Sequence, residues 1–85
     1  MRFPKQLQNV TWEKEQDSYT LVHPSTKELF QIDAIAFMIW AQCDGKTSMD
    51  RIVDIFALGN NREVVKASIN GVLERLSKAG FIKWT

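Results

Sequence analysis

The stretch FQIDAIAFMIWAQCDGKTS, residues 30–48, contains the signals from which the fold is inferred. It begins with the alternating apolar pattern of a β-strand. Asp33 can then accept backbone hydrogen bonds as the N-cap of a helix over residues 34–42, and Gly45 can adopt the left-handed conformation that ends a helix. The apolar residues with helical spacing are Ala36, Ile39, Trp40 and Cys43. The stretch therefore predicts a strand followed directly by a helix with one buried face.

Runs of β-branched and aromatic residues lie upstream of this stretch. Residues 10–12 and 18–23 predict two strands, and the polar residues 13–17 between them suit a hairpin loop. A turn at Pro24 leads into a third strand over residues 27–32. The two faces of this third strand carry Phe30 with Ile32 and Leu29 with Gln31. Three short strands are therefore expected before the first helix.

Downstream of the stretch, the sequence predicts two more helices. Thr47 with Asp50 has the capping-box spacing, and Asn60 with Glu63 repeats this start signal. The third helix should end just before Gly80. Its apolar stripe, wide enough to be buried, consists of Val65, Ile69, Val72, Leu73 and Leu76.

The two chain ends have different patterns. Residues 1–8 lack periodicity and are expected to form a loose N-terminal lead-in, whereas residues 81–84 predict a short C-terminal strand. The order of elements indicates an α+β fold. With 85 residues, the chain is expected to form a single domain over residues 1–85.

Composition and charge exclude several classes of function. The formal net charge of +1 provides no overall field that would attract nucleic acid or anionic lipid. With Cys43 as the one cysteine, no intrachain disulfide can form, and the chain begins without an apolar signal core, so a cytoplasmic location is expected. No apolar run is long enough for a membrane span, and no membrane partner is expected.

No catalytic, metal or cofactor site is expected. His23 is the one histidine, and no acidic residue lies at metal-ligand spacing from it. Cys43 has no evident basic partner and is expected to be a small buried apolar residue. The sequence therefore favours a protein that binds over an enzyme.

A row of mostly small side chains runs along the third helix, beside its buried stripe. The row consists of Val64, Ala67, Ser68, Gly71 and Arg75. Gly71 costs about 1 kcal/mol relative to alanine inside a helix, so a close approach by another backbone is expected there, either the protein's own or a partner's. A small sheet also leaves an edge that could accept an extended peptide. Leu29, Gln31 and this row are the candidate walls of such a groove.

Several motifs together are similar to a known family. They are Tyr19-Thr20-Leu21-Val22-His23-Pro24, Phe30-Gln31-Ile32-Asp33, Cys43-Asp44-Gly45-Lys46-Thr47, Ile52-Val53, Val72-Leu73-Glu74-Arg75-Leu76 and Gly80-Phe81-Ile82. The chain resembles the pyrroloquinoline quinone biosynthesis protein D family, whose PqqD-like domains are RiPP recognition elements. The resemblance covers residues 12–84, which is nearly the whole chain.

The resemblance implies both a fold and a function. The implied fold is winged-helix-like, with a three-stranded antiparallel sheet packed on a three-helix bundle. The implied function is non-catalytic: the protein binds the leader of a ribosomally made precursor peptide as an added strand and presents it to a modifying enzyme, often a radical SAM protein. The expected peptide-binding residues are Leu29, Phe30, Gln31, Val64, Ala67, Ser68, Gly71 and Arg75.

The alternative is a winged-helix DNA-binding regulator. In that case the third helix would enter the major groove. The helix and its flanks carry the cations Arg62, Lys66, Arg75 and Lys78 against Glu63 and Glu74. This is fewer than the six or more phosphate contacts that DNA binding usually requires, so no nucleic-acid partner is expected.

Overall fold

The computed structural model describes residues 3–85. Its elements in chain order are β1 (Pro4–Gln6), β2 (Thr11–Glu15), β3 (Ser18–Val22), β4 (Leu29–Asp33), α1 (Ala34–Ala41), α2 (Met49–Ala57), α3 (Arg62–Lys78) and β5 (Ile82–Trp84). The predicted α+β fold is confirmed. In this part of the chain, no helix has both the length and the apolar character needed to cross a membrane.

The central sheet is antiparallel with the strand order β2–β3–β4. β2 and β3 pair from Thr11↔Val22 to Glu15↔Ser18, which leaves a two-residue turn between them. The loop predicted over residues 13–17 is therefore shorter, because residues 13–15 continue the strand pairing. β3 lies in the middle of the sheet, and β4 forms an edge and leads directly into α1.

The prediction of a loose N-terminal lead-in over residues 1–8 is wrong for residues 4–6, which form a strand. Pro4–Gln6 forms β1, which pairs antiparallel with β5 from Pro4↔Trp84 to Gln6↔Ile82. On its other side, the Gln6 N–H donates to the Cys43 carbonyl at 2.8 Å. Three residues are too few to show a strand period, so pairing from both sides holds a segment that has no pattern of its own. Met1 and Arg2 lie outside the described residues.

Two helix caps lie one residue later than the sequence indicates. Ser48, not Thr47, caps α2 and accepts the Arg51 N–H at 3.1 Å. The reason is that the Thr47 hydroxyl donates to the Asp44 carboxylate at 3.2 Å. Backbone hydrogen bonds from the turn, first of all from the Lys46 N–H, lower the pKa of Asp44.

Of the predicted caps of the other two helices, one is wrong by one residue and one is confirmed. Asn61, not Asn60, caps α3 and accepts the Glu63 N–H at 3.0 Å. The Asp33 cap of α1 is confirmed, because its Oδ1 accepts the Ala36 N–H at 2.7 Å. The type of cap residue was thus predicted for all three helices, but its position was correct for α1 alone.

The core lies between the helices, β3 and β5. Its buried members are Leu21, Ile39, Trp40, Cys43, Ile52, Val53, Ile69, Leu73, Leu76, Phe81 and Ile82. Val65 and Val72 of the predicted stripe are partly buried beside it. The Trp40 Nε1–H donates to the Phe81 carbonyl at 3.3 Å, which ties α1 to the turn after α3.

Cys43 is completely buried, and its thiol lies 3.4 Å from the Ile39 carbonyl. Burial, aided by the nearby Asp44 charge, raises the pKa of this thiol to about 12. Because the thiolate is the reactive form, we expect Cys43 to react with a disulfide reagent at about pH 8 at least about tenfold more slowly in the native protein than in denaturant. Absorbance of the released thiol measures both rates, and equal rates would contradict the buried assignment.

Candidate functional site

β4 has a free edge. One side of this strand pairs with β3, and within residues 3–85 no strand pairs with the other side. The His23 N–H donates to the Glu28 carbonyl at 2.9 Å, which sets the phase of the hydrogen bonds. Backbone N–H and C=O groups alternate in direction along a strand of an antiparallel pair. The backbone groups of Phe30 and Ile32 therefore point toward β3. Those of Leu29 and Gln31 therefore point away from the sheet.

The side chains of β4 alternate between the two faces of the sheet. Phe30 packs against the core, with 5.6 Å between the centroids of its ring and the Phe81 ring. Ile32 is also partly buried there. Leu29 is 70% exposed on the outer face. The Gln31 Nε2 donates to the Ser18 hydroxyl at 3.0 Å on that same outer face. An added strand would bond to the backbone of Leu29 and Gln31, and its inward side chains would lie beside Phe30 and Ile32.

A depression of about 340 Å³ lies at this edge. Its lining residues are Ser18, Phe30, Gln31, Ile32, Asp33, Ala36 and Arg75. It joins the edge strand to α1 and to the C-terminal half of α3. Three of the predicted site residues, Phe30, Gln31 and Arg75, are brought together here.

The sequence reasoning missed four residues of this depression. Ser18, Ile32, Asp33 and Ala36 contribute to its wall, although they were not among the expected site residues. Ile32 could have been included, since the strand pattern already placed it on the face of Phe30. Ser18 could not, because its place beside the edge strand depends on the pairing Ser18↔Asp33 between β3 and β4.

The small-residue row of α3 is divided between two surfaces. Val64, Ser68, Gly71 and Arg75 follow one another at steps of three and four, so they share one side of the helix. Ala67 instead lines a separate depression with Met49, Glu63, Lys66 and Asn70. Val64 is 62% exposed, which leaves an apolar residue open to solvent at the N-terminal end of the row.

The space beside Gly71 is open. Apart from its chain neighbours and the nearby backbone of its own helix, a Cβ at this position would meet no atom of residues 3–85 within 4 Å. The close approach expected from its cost in a helix is therefore not made by the protein's own backbone. The missing side chain instead leaves room on the outside of α3, next to Arg75.

Replacing Gly71 with alanine should therefore stabilise the protein. We expect the free energy of unfolding to rise by about 1 kcal/mol, because alanine is the better helix former and nothing obstructs its methyl group. Urea denaturation followed by circular dichroism measures the change. Gly59→Ala is the matched control: its surroundings are equally open, but its φ of +88° disfavours any side chain, so this variant should lose stability. A loss of stability in Gly71→Ala would show that the site is not open.

The two arginines of α3 differ in their ion pairs. Arg62 pairs with Asp54 at 3.2 Å and with Asp50 at 3.9 Å. Arg75 makes no ion pair with any residue from 3 to 85. The ion pairs of Arg62 weaken the DNA-binding alternative further, because they occupy one of the few cations that α3 could offer to a phosphate backbone.

The side chains considered for catalysis have structural roles. The His23 Nδ1 accepts the backbone N–H groups of Ser25 and Thr26 at 3.2 and 3.3 Å, and the ring edge packs on Phe81. Within residues 3–85, no three histidine, cysteine, aspartate or glutamate side chains gather closely enough to hold a metal ion. The feature with binding potential is therefore the free edge of β4 with its depression.

Comparison with known proteins agrees with this architecture. None of the curated proteins compared with the chain matches it. The solved structure of TbiB1 in complex with the TbiA(beta) leader peptide is similar to this chain, with a TM-score of 0.77 and 22% sequence identity over 93% of this chain and 94% of the TbiB1 chain. This likeness confirms the predicted fold. A family model described as coenzyme PQQ synthesis protein D matches residues 19–82, so the chain belongs to the PqqD family.

Proposed function

We propose that this protein is a non-catalytic chaperone for a ribosomally synthesised precursor peptide. It binds the leader of the precursor as an added strand on β4 and delivers the peptide to a modifying enzyme. The observation that carries this proposal is the free edge of β4, where Leu29 and Gln31 direct their backbone groups outward beside the depression shared with α3.

Membership of the PqqD family supports the proposal, and so does the fold shared with TbiB1, a protein solved with a leader peptide bound. Backbone pairing would supply most of the grip, and side chains alternating toward α3 would supply selectivity. An extended leader must become ordered when it binds, which offsets part of the interaction energy, so a Kd of roughly 1–10 μM is expected. The protein raises the local concentration of the precursor beside the enzyme.

The partner enzyme carries the chemistry in this proposal, and a radical SAM protein is the class that we propose. The chain itself contributes no cofactor and works in the cytoplasm beside that enzyme. The raised pKa of the buried Cys43 thiol and the structural hydrogen bonds of His23 support a role without catalysis.

An amide-shift titration tests the proposal. The ¹⁵N-labelled chain is titrated with leader segments of precursor peptides encoded beside its gene. The largest shifts are expected at Leu29, Gln31 and Gly71. The amides of Trp12 and Lys14, on the edge of β2 that faces away from β3, serve as the internal control and should barely move. Shifts centred on β2, or no shifts with any of these leaders, would overturn the proposal.

A further inference from the structure

We propose that Arg75 selects leader segments that carry an aspartate or glutamate on the face of the added strand that is turned toward α3. The inference rests on the proposed function, because it requires a guest strand on β4. It goes further by specifying the chemistry of one guest side chain and its place in the register, opposite Phe30 or Ile32.

Arg75 is a cation within the site that forms no ion pair with residues 3–85. It lines the depression at the β4 edge. The residues three and four positions away on the helix are Gly71, Val72, Lys78 and Ala79, and none of them is acidic. The adjacent Glu74 lines a different depression, with Lys78 and Trp84. A positive charge is thus available to a guest from outside the chain.

Asp33 also lines the depression, and the role of its carboxylate argues for the same conclusion. Its Oδ1 accepts the Ala36 N–H at 2.7 Å, so this charge is engaged as the cap of α1. It makes no ion pair with Arg75. The positive end of α1 partly offsets its charge, which leaves the guanidinium as the unneutralised group of the site.

The register follows from the geometry of β4. Residues directly opposite each other in an antiparallel pair direct their side chains to the same face. Guest residues opposite Leu29 and Gln31 would form the backbone hydrogen bonds and point outward. Guest residues opposite Phe30 and Ile32 would point inward, toward the depression that Arg75 lines. The acidic residue therefore belongs to this inward set.

Arginine is suited to this role because its planar guanidinium can donate two parallel hydrogen bonds to one carboxylate. Lysine would keep the charge but lose the second bond. A guest carboxylate held in this way should bind about tenfold more tightly than its amide counterpart, which is the usual size of a charge-assisted hydrogen bond at a partly exposed site.

A peptide selection tests the inference. A displayed library of random peptides of about eight residues, longer than a typical strand, is selected on the immobilised chain and on Arg75→Glu. We expect the unaltered chain to enrich peptides with Asp or Glu at one fixed position, and Arg75→Glu to enrich Lys or Arg at that position. Lys78→Glu is the matched control, since it makes the same charge change beside the depression of Trp84, and it should keep the acidic preference.

Affinity measurements on one enriched peptide complete the test. Replacing its acidic residue with the corresponding amide should weaken binding to the unaltered chain about tenfold and should have little effect on Arg75→Gln. Enrichment without an acidic position would overturn this inference and leave the peptide-binding function standing. If no peptide is enriched at all, both fail. Circular dichroism of each variant confirms that its fold is retained.

Discussion

Replacing Gly71 with tryptophan is expected to weaken binding of an enriched or leader peptide by at least about 100-fold, equivalent to about 2.7 kcal/mol. The open space beside Gly71 lies on the row of α3 that contains Arg75, so a large ring there would occupy the volume that the guest needs. We expect the fold to be retained, because a Cβ at this position would meet nothing from the rest of residues 3–85 within 4 Å. Fluorescence anisotropy of a labelled peptide measures the loss.

The control for this variant is Asn70→Trp. Asn70 is the neighbouring residue, but it is exposed and lines the two depressions on the other side of α3. Tryptophan at position 70 should change affinity by less than about twofold, which is within the range of a neutral surface change. Equal losses in both variants would mean that added bulk anywhere on α3 disturbs binding. Unchanged affinity in Gly71→Trp would place the guest on another face of the protein.

Gln31→Pro should weaken peptide binding by about 30-fold. Proline removes the outward N–H of β4, and the guest carbonyl that it would have bound is left unsatisfied at a cost of about 1–3 kcal/mol. The fold is expected to survive, because the backbone groups of Gln31 do not bond to β3. Anisotropy titration gives the affinity, and circular dichroism verifies the sheet.

Two controls separate the lost donor from other effects. Gln31→Ala keeps the N–H and removes the side-chain hydrogen bond to Ser18, so its affinity should stay within about twofold of the original. Lys14→Pro makes the same backbone change on the free edge of β2, the opposite side of the sheet, and should leave binding intact. If Lys14→Pro is the variant that loses binding, the guest strand pairs with β2 and the assignment of the edge is wrong.

The local signals in the sequence were sufficient for the helices and for much of the core. Asp33 as a cap and the apolar spacing of α1 and α3 depend on contacts within a few residues, so they can be read from neighbours along the chain. Gly45 as the end of α1 is wrong, because the C-cap is Gln42 in the right-handed conformation and Gly45, with a φ of +78°, lies in the turn beyond it, where its N–H donates to the Pro4 carbonyl. The shifts from Thr47 to Ser48 and from Asn60 to Asn61 show where local reading loses precision. Adjacent residues of similar chemistry compete for one cap, and tertiary hydrogen bonds decide between them.

The candidate site was predicted less completely. Of the predicted site residues, Phe30, Gln31 and Arg75 line the depression at the β4 edge, whereas Ala67 lines the depression of Asn70. A row at helical spacing covers a broad arc of the helix, and only packing against neighbours shows which part of that arc faces the sheet.

From the chain alone, one could infer the α+β elements, the buried stripe of α3, the resemblance to PqqD proteins and the need for some edge strand. Only the folded molecule shows that residues 4–6 pair with the C-terminal strand, that no strand within residues 3–85 covers the outer edge of β4, and that Leu29 and Gln31 direct their backbone groups to this edge. The physical reason is separation along the chain. Caps and amphipathic faces arise within one or two turns, whereas strand partners and the space beside Gly71 depend on segments that meet only when the whole core has closed.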